Sequence, residues 1–167
     1  MAYRAWYYPF KIIINMKTII ITGLLFSSLW VSGQDFTGSW KRDNLLSNAG
    51  EHISINSIPV TVEVKKADQA LIITYTSKNG KGEVSSSTDT LSEGKISQKV
   101  TATGLHKSTT LKADGAGYEI TSDYRDDTGT VVRTSKEAWT LTDGHLQIIA
   151  DFTSNEVPYH FVEVFGK

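Results

Sequence analysis

The sequence predicts an all-β protein, built as an antiparallel meander of about eight to ten strands. Beyond residue 33, no helical periodicity extends over a long window. Short runs of alternating or β-branched residues recur instead, and each ends at a Gly-, Asn- or Asp-rich turn. These turns are SKNGKG (77–82), SEGK (92–95), ADGAG (113–117), DDTG (126–129) and TDGH (142–145). Asn-Gly and Asp-Gly dipeptides suit tight hairpins, so consecutive strands are expected to be antiparallel neighbours.

Ten candidate strands are predicted, at 36–42, 59–66, 70–78, 83–90, 95–102, 107–113, 117–125, 130–142, 145–152 and 157–165. Val60, Val62 and Val64 alternate with polar residues, which indicates one apolar and one solvated face. The segment HLQIIADF at 145–152 alternates in the same way. A closed barrel or a sandwich is therefore expected.

Three regions break this regularity. Residues 43–57 are too many for a hairpin turn and predict a short helix or a lid-like loop. The length of the strand at 130–142 predicts a bend or bulge near Ser135 to Glu137. Residues 83–91 have polar side chains on both faces, and 96–104 are little more apolar, which indicates either an exposed sheet edge or a lumen that holds water and a ligand.

The N-terminal residues have the pattern of a secretory signal peptide. From Met16, one Lys precedes an apolar run at 19–30 and then small residues. Val31 and Gly33 suit the positions that a signal peptidase reads, so cleavage after Gly33 is predicted. Residues 1–33 are thus expected to be an N-terminal extension followed by a signal peptide, with the real start of the protein at Met16. Residues 34–167 are expected to form the barrel domain.

A membrane anchor is the alternative, since a span needs about 20 apolar residues. Asn15, Lys17 and the Ser27-Ser28 pair cut the apolar run to signal-peptide length. The chain is therefore expected to be exported, periplasmic or secreted, with no stable membrane anchor after cleavage.

Composition excludes several classes of partner and chemistry. Cleavage would remove three of the 17 basic residues and leave 14 against 18 acidic ones. This balance provides no concentrated basic surface for nucleic acid. The absence of cysteine excludes disulfides, thiol catalysis and a lipoprotein anchor. About 134 residues suit one domain, and a monomer is expected.

A short motif carries a resemblance to a known superfamily. The segment TGSW at 37–40, at the start of the first strand, is similar to the Gly-x-Trp signature of lipocalins and the calycin superfamily. The segments LSEGK (91–95), EAWTLTDGHLQI (137–148) and FVEVFGK (161–167) resemble lipocalin-like domain proteins exported by bacteria.

The resemblance implies a barrel in which Gly38 permits close approach and Trp40 closes the base beneath a ligand cavity. The segment TSDYRDD at 121–127 only loosely matches the second lipocalin motif. The arginine that covers the tryptophan in many lipocalins has no counterpart in the last strand. Arg42 and Arg133 are the candidates for that position.

The candidate ligand-binding residues are mainly aromatic. Tyr and Trp combine apolar area with a polar tip, which suits an amphipathic small molecule, although aromatic residues also fill cores. Arg133 shares strand parity with Trp139, so it is expected to face inward as a buried cation. It would then pair with Glu137 or with a ligand carboxylate. The full set is Tyr75, Tyr118, Ile120, Arg133, Trp139, Phe152 and Phe161.

No catalytic residue, metal site or cofactor is predicted. The chain lacks a Gly-x-Ser-x-Gly motif. Its histidines, at 52, 106, 145 and 160, lack metal-site spacing. The Asp126-Asp127 pair lacks the alternating ligands of calcium loops.

The sequence therefore favours a module that binds a small hydrophobic or amphipathic molecule. One alternative is a cell-envelope interaction protein that uses a sheet face. Another is a small-metabolite hydrolase or isomerase, with His106 beside Asp89 or Glu137 at a barrel mouth.

Overall fold

The computed structural model describes residues 34–50, 55 and 58–167. The predicted signal peptide and most of the second half of the predicted lid lie outside the described residues. The described chain forms ten strands, and each boundary lies within two residues of its predicted position. The strands are β1 (Gly38–Arg42), β2 (Thr61–Ala67), β3 (Ala70–Lys78), β4 (Val84–Ser92), β5 (Ile96–Val100), β6 (His106–Asp114), β7 (Gly117–Arg125), β8 (Val131–Thr142), β9 (His145–Ser154) and β10 (Val157–Gly166).

All ten strands belong to one antiparallel sheet, in the order β4-β3-β2-β1-β10-β9-β8-β7-β6-β5. Every pairing joins consecutive strands except the one between β1 and β10. The sheet curls into a nearly closed barrel, so the edge strands β4 and β5 meet along a seam. The all-β meander barrel is therefore confirmed, and the sandwich is not formed.

The two sides of this seam are joined mainly by side-chain contacts and not by a ladder of backbone hydrogen bonds. Lys99 of β5 reaches β4, where its Nζ donates to Ser87 Oγ at 2.9 Å and to the Thr88 carbonyl at 3.0 Å. Lys107 of β6 binds Asp89 of β4 at 2.7 Å. Residues 84–88 are exposed, which agrees with the predicted sheet edge, whereas Asp89 is buried inside the barrel. A lumen that holds water and a ligand stays a prediction.

The inward residues of the strands form an apolar core. Val62 and Val64 of β2 are buried, while Glu63 between them is partly exposed. Burying one large apolar side chain contributes about 1.5–3 kcal/mol. The core residues are Phe36, Trp40, Val62, Val64, Leu71, Ile73, Leu91, Leu111, Ile120, Trp139, Leu146, Ile148 and Phe165.

Trp40 lies at the base of the barrel, as the Gly-x-Trp resemblance implies. Its side chain is 2% exposed, and its Nε1 donates to the Phe36 carbonyl at 2.9 Å. The cation over its ring is Lys167, whose Nζ lies 4.7 Å from the ring centroid. Gly38 has a φ of 136°, and a Cβ there would lie 3.2 Å from Lys167 Cε. The expectation that Arg42 or Arg133 covers Trp40 is wrong.

The bulge in β8 lies closer to the start of the strand than predicted. Tyr124 pairs with Arg133 and Arg125 pairs with Val131, so Val132 is the extra residue. From Ser135 to Glu137 the pairing with β7 is regular, and the prediction of a bulge there is wrong. The regular register keeps alternate β8 side chains inside the barrel.

Arg42 fastens the segment that follows β1. Its Nη1 donates to the carbonyls of Ile55 at 2.6 Å and Ile58 at 2.9 Å. The first part of this segment runs along β10, with a bridge between Asn48 and Val162. Residues 44–46 form a turn, and no described residue of 43–50 is helical. Ile58 is buried and returns the chain to the barrel interior.

Candidate functional site: the barrel interior

A cavity of about 250 Å³ lies between the inward faces of β7 to β10 and Ile58. Its lining residues are Ile58, Tyr124, Arg133, Ser135, Glu137, Ala150, Phe152 and Phe161. Two concavities of about 420 and 410 Å³ also occur, but consecutive strand residues such as 130–134 and 98–100 line them. Consecutive residues belong to opposite faces of a strand, so these two are grooves at strand ends.

The pairing of β8, β9 and β10 places the cavity residues in stacked rows across the barrel wall. From the base toward the turns at 126–130 and 155–156, which define the mouth, the rows follow in this order: Leu141–Leu146–Phe165, Trp139–Ile148–Glu163, Glu137–Ala150–Phe161 and Ser135–Phe152–Tyr159. Arg133, opposite Ser154, comes next. The small side chain of Ala150 leaves space in the middle of its row.

Aromatic rings form the wall near the mouth. Phe152 stacks on Tyr159 with ring centroids 4.6 Å apart and meets Phe161 edge-on at 5.6 Å. Arg133 faces inward as predicted, with its Cζ 5.4 Å from the ring centroid of Tyr124 and 5.6 Å from that of Phe152. Both distances suit cation–π attraction.

The prediction that Arg133 is buried is wrong, because its position in the last row exposes it at the mouth. Within the described chain, no ion pair joins Arg133 to Glu137. Its guanidinium is thus open to an anionic group that arrives from solvent.

Glu137 lies at the inner side of the cavity. Its Oε2 accepts hydrogen bonds from Trp139 Nε1 at 2.9 Å and from the Tyr75 hydroxyl at 3.5 Å. Burial raises the pKa of Glu137, although these bonds and the charge of Lys107 oppose the rise. Burial and the nearby Glu137 also raise the pKa of Tyr75 well above its ordinary value, so Tyr75 remains a donor.

Glu163 is a second inward carboxyl, on β10, and is 4% exposed. Burial and then the charge of Glu137 raise its pKa to about 8, and Arg42 offsets this only in part. At neutral pH the Glu163 side chain is therefore mostly a neutral acid.

A third carboxyl, Asp89, is 5% exposed and forms ion pairs with Lys99 and Lys107. Burial alone would raise the pKa of Asp89, but the charges and hydrogen bonds of Lys107 and Lys99 outweigh it, so the pKa is lowered. Nearby, Thr109 and Ser122 share a buried hydrogen bond of 3.0 Å.

Neither Lys107 nor Glu163 is among the residues that the sequence predicts for the site. Strand parity carried the signal for both: Lys107 alternates with Thr109 and Leu111, and Glu163 with Phe165.

The structure separates the seven candidate residues into three groups. Arg133, Phe152 and Phe161 line the cavity. Tyr75 contacts the cavity indirectly, through its bond to Glu137. Tyr118 packs on Phe36 with ring centroids 5.1 Å apart, and Ile120 and Trp139 are buried in the core below. Ligand contact by the first group remains a prediction.

The residues that the enzyme alternative would combine do not lie together. His106 is exposed and lies on the outward face of β6, 3.7 Å from Asp127, whereas Asp89 and Glu137 face inward. Asp126 accepts hydrogen bonds from the Thr128 and Thr130 amides, both at 2.9 Å, and so stabilises its own turn. The described residues include no group of three or more side chains placed to hold a metal ion. Among them there is also no helix of the length and apolar character that a membrane span requires.

Comparison with known proteins identifies the fold. No family model matches the chain, and no curated protein matches it. Solved structures do match. Lipid binding protein 8 of Caenorhabditis elegans has a TM-score of 0.57 at 15% identity, over 79% of this chain and 94% of that one. The fatty acid-binding protein of Drosophila melanogaster brain tissue has a TM-score of 0.51 at 22% identity, over 80% and 100%.

A third similar structure is the zebrafish ileal bile acid-binding protein complexed with cholic acid. Its TM-score is 0.53 at 14% identity, over 79% of this chain and 98% of that one. The chain has the barrel fold of the fatty-acid-binding proteins. This result confirms the antiparallel barrel fold, while membership of the calycin superfamily, which Gly38 and Trp40 implied, and kinship with exported bacterial proteins remain predictions.

Proposed function

We propose that this protein binds one small apolar or amphipathic molecule inside its barrel. The observation that carries the proposal is the interior cavity of about 250 Å³, which has aromatic residues on one wall and Arg133 at its mouth. The apolar body of the ligand lies against Phe152, Phe161 and Ala150. The similar structures support this use of the fold, since their names describe binding of lipid, fatty acid or bile acid by those proteins.

The volume of the cavity limits the size of the ligand. Pockets for drug-sized molecules start at about 300 Å³. At about 30 Å³ for each water-sized group, the present cavity holds about eight non-hydrogen groups. A short-chain molecule therefore fits, and a longer chain would extend past Arg133 into solvent.

Arg133 gives the mouth of the cavity a preference for a ligand group that accepts hydrogen bonds. A guanidinium offers donors in a fixed fork that matches a carboxylate or phosphate in two hydrogen bonds. An anionic group on the outer end of the ligand would pair with Arg133 while the apolar part stays on the rings.

The role of the cavity is tested by a substitution that fills it with a larger side chain. Ala150→Leu places extra atoms in the middle row, and Ala138→Leu makes the same change on the outward face of β8. Binding is measured by displacement of an environment-sensitive fluorophore, and folding by thermal denaturation. We expect Ala150→Leu to weaken binding by about tenfold or more, with Ala138→Leu unchanged.

Equal binding by the two folded variants would reject the cavity as the site. Native mass spectrometry of protein from its own host, followed by organic extraction, identifies any ligand that co-purifies.

Export is part of the proposal, since a secreted or periplasmic carrier would encounter ligands outside the cytoplasm. The support is the signal-peptide pattern that begins at Met16. N-terminal sequencing of the protein from its host tests this directly: a start at Gln34 agrees with export, and a start at Met1 or Met16 contradicts it.

A further inference from the structure

We infer that the ligand is a small aromatic carboxylate, with its ring in a corner formed by Phe152 and Phe161 and its carboxylate at Arg133. This inference rests on the proposed function and adds the chemical class of the ligand. Three features support it: the geometry of the rings in the cavity wall, the proportions of the cavity and the fixed position of Arg133.

The rings of the cavity wall differ from the aromatic rings of the core. Trp40, Trp139 and Phe165 fill the core, and each is at most 2% exposed. Phe152 and Phe161 line the cavity and remain partly exposed. Rings that only filled a core would be covered by protein atoms on all sides. The uncovered surface of Phe152 and Phe161 is therefore available to a ligand.

Phe152 and Phe161 form a corner. Their ring planes lie 69° apart, and their centroids are separated by 5.6 Å. Aromatic rings prefer an offset-stacked or an edge-to-face arrangement, with centroids about 4.5–7 Å apart. A flat ring that stacks on Phe161 is steeply inclined to Phe152, so it makes both preferred arrangements at once. A saturated ring or an alkyl chain lacks the ring quadrupole and gains only the burial of apolar area.

The cavity is broad for its depth, which favours a ring over a long chain. Its lining spans β7 to β10, which is three strand spacings of about 4.8 Å each, or about 14 Å. Along β8 it extends from Arg133 to Glu137, and four residues at about 3.4 Å each also span about 14 Å. Glu137 and the buried Trp139, which donates to it at 2.9 Å, close the inner end. The capacity of about eight non-hydrogen groups is close to that of a benzene ring with a carboxylate.

Arg133 is held in position by neighbouring rings of the wall. Tyr124 contacts two cations, with Lys107 Nζ 5.5 Å and Arg133 Cζ 5.4 Å from its ring centroid. Arg133 also lies 5.6 Å from the ring of Phe152, which stacks on Tyr159. The guanidinium is thus placed before a ligand arrives, and a preorganised group loses less conformational entropy on binding. Its fork of donors matches the two oxygens of a carboxylate.

The charges of the cavity set the direction of the ligand. Arg133 lies at the mouth, and Glu137 lies at the inner end. A carboxylate at the inner end would meet a second carboxyl group, whereas at the mouth it meets a cation. The ring of the ligand therefore points inward, into the two rows below Arg133, where Phe152 and Phe161 form the corner.

The inference is tested with three probes that have the same number of carbon atoms and one carboxylate: phenylacetate, cyclohexylacetate and octanoate. Isothermal titration of the purified protein gives the dissociation constant of each probe. We expect phenylacetate to bind at least about threefold more tightly than either saturated probe. The saturated probes are more apolar, so hydrophobicity alone predicts the opposite order.

Substitutions in the corner test the cause of this preference. Phe161→Leu removes one ring and keeps an apolar side chain, so it should abolish the preference for phenylacetate and leave cyclohexylacetate within about twofold. Phe165→Leu makes the same change on the same face of β10 but at the base, outside the cavity, and should keep the preference. Thermal denaturation checks folding, and Phe152→Leu serves if Phe161→Leu does not fold.

The carboxylate end has its own test. Arg133→Gln should weaken all three probes by a similar factor, about fivefold or more, because it removes the cation that they share. Unchanged affinity in this variant would overturn the placement of the carboxylate at Arg133.

The outcomes separate this inference from the proposed function. If phenylacetate binds no more tightly than the saturated probes, or if both corner substitutions keep the preference, the aromatic inference is overturned while the binding function stands. If none of the three probes binds, the proposed function itself is rejected.

Discussion

The base of the barrel interior and the part above it are built from different chemistry. At the base, Trp40, Leu146 and Phe165 are sealed from solvent, and the indole has its one hydrogen bond. Above the base, the interior contains Asp89 and Glu163 as buried carboxyls. Burying ionisable groups opposes folding unless they are paired, so the upper interior is the part of the core that stabilises the fold least. Stability and the proposed ligand recognition thus lie at different heights of one barrel.

The largest expected effect comes from the base. Trp40→Ala removes a fully buried ring and should lower the free energy of unfolding by about 3–5 kcal/mol, measured by urea denaturation. Because Trp40 does not line the cavity, the folded fraction should keep its affinity for the ligand. A folded variant with tenfold weaker binding would show that the base and the cavity are coupled.

Next comes the ion cluster at the seam. Asp89→Asn leaves Lys99 and Lys107 without their counter-ion in a largely buried setting. We expect a loss of about 3 kcal/mol, the lower end for breaking a buried pair, because Lys99 is partly exposed. Unfolding in urea measures it, with Glu119→Gln as the surface control. Equal stability of the two variants would contradict a structural role for the cluster.

The pH dependence of stability sharpens the same contrast. Glu163 has an ordinary pKa of 4.5 when unfolded and about 8 when folded. Between these values the unfolded chain has lost a proton that the folded chain keeps, so unfolding releases a proton and rising pH favours it. The contribution of Glu163 should fall by about 1 kcal/mol per pH unit across this range and stay constant above it. Glu163→Gln should flatten this part of the profile, as measured by denaturation at pH 5 to 9. If the stability of Glu163→Gln changed with pH in the same way as that of the unaltered protein, a group other than Glu163 would be responsible for the pH dependence.

The smallest effect concerns the cation over Trp40. Lys167→Met keeps the aliphatic stem and removes the charge that lies 4.7 Å from the ring centroid. A loss of about 0.5–1 kcal/mol is expected from the cation–π term, again by urea denaturation. Lys41→Met, on the outward face of β1, should cost less. If Lys41→Met lowered the free energy of unfolding more than Lys167→Met, the charge of Lys167 would contribute nothing to stability at the base.

Strand positions were predictable because two local signals, alternation and turn residues, agree along the chain. Parity also predicted correctly that Arg133 faces inward. Its exposure to solvent was not predictable, because the position of a residue along the barrel axis depends on how β8, β9 and β10 align. The bulge was misplaced for a similar reason: strand length shows that a bulge is needed but does not locate it, and only the pairing of Tyr124 with Arg133 does so.

The candidate site was harder to predict than the fold. Asp89 meets Lys107 from 18 residues away, across strands that are not ladder neighbours. Lys167 reaches Trp40 only because β1 pairs with β10. Such contacts depend on how the sheet closes, and local patterning carries no information about that. The cavity volume likewise depends on side-chain sizes across four strands at once.

The pairing of β1 with β10 has a consequence for how the chain folds. Every other ladder joins consecutive strands, so those contacts form with little loop-closure entropy. The β1–β10 ladder joins segments separated by more than a hundred residues through only two registered pairs, Lys41 with Gly166 and Arg42 with Phe165. Two half-sheets, β1–β4 and β5–β10, can thus assemble independently, and we expect their docking, the entropically demanding step, to set the folding rate.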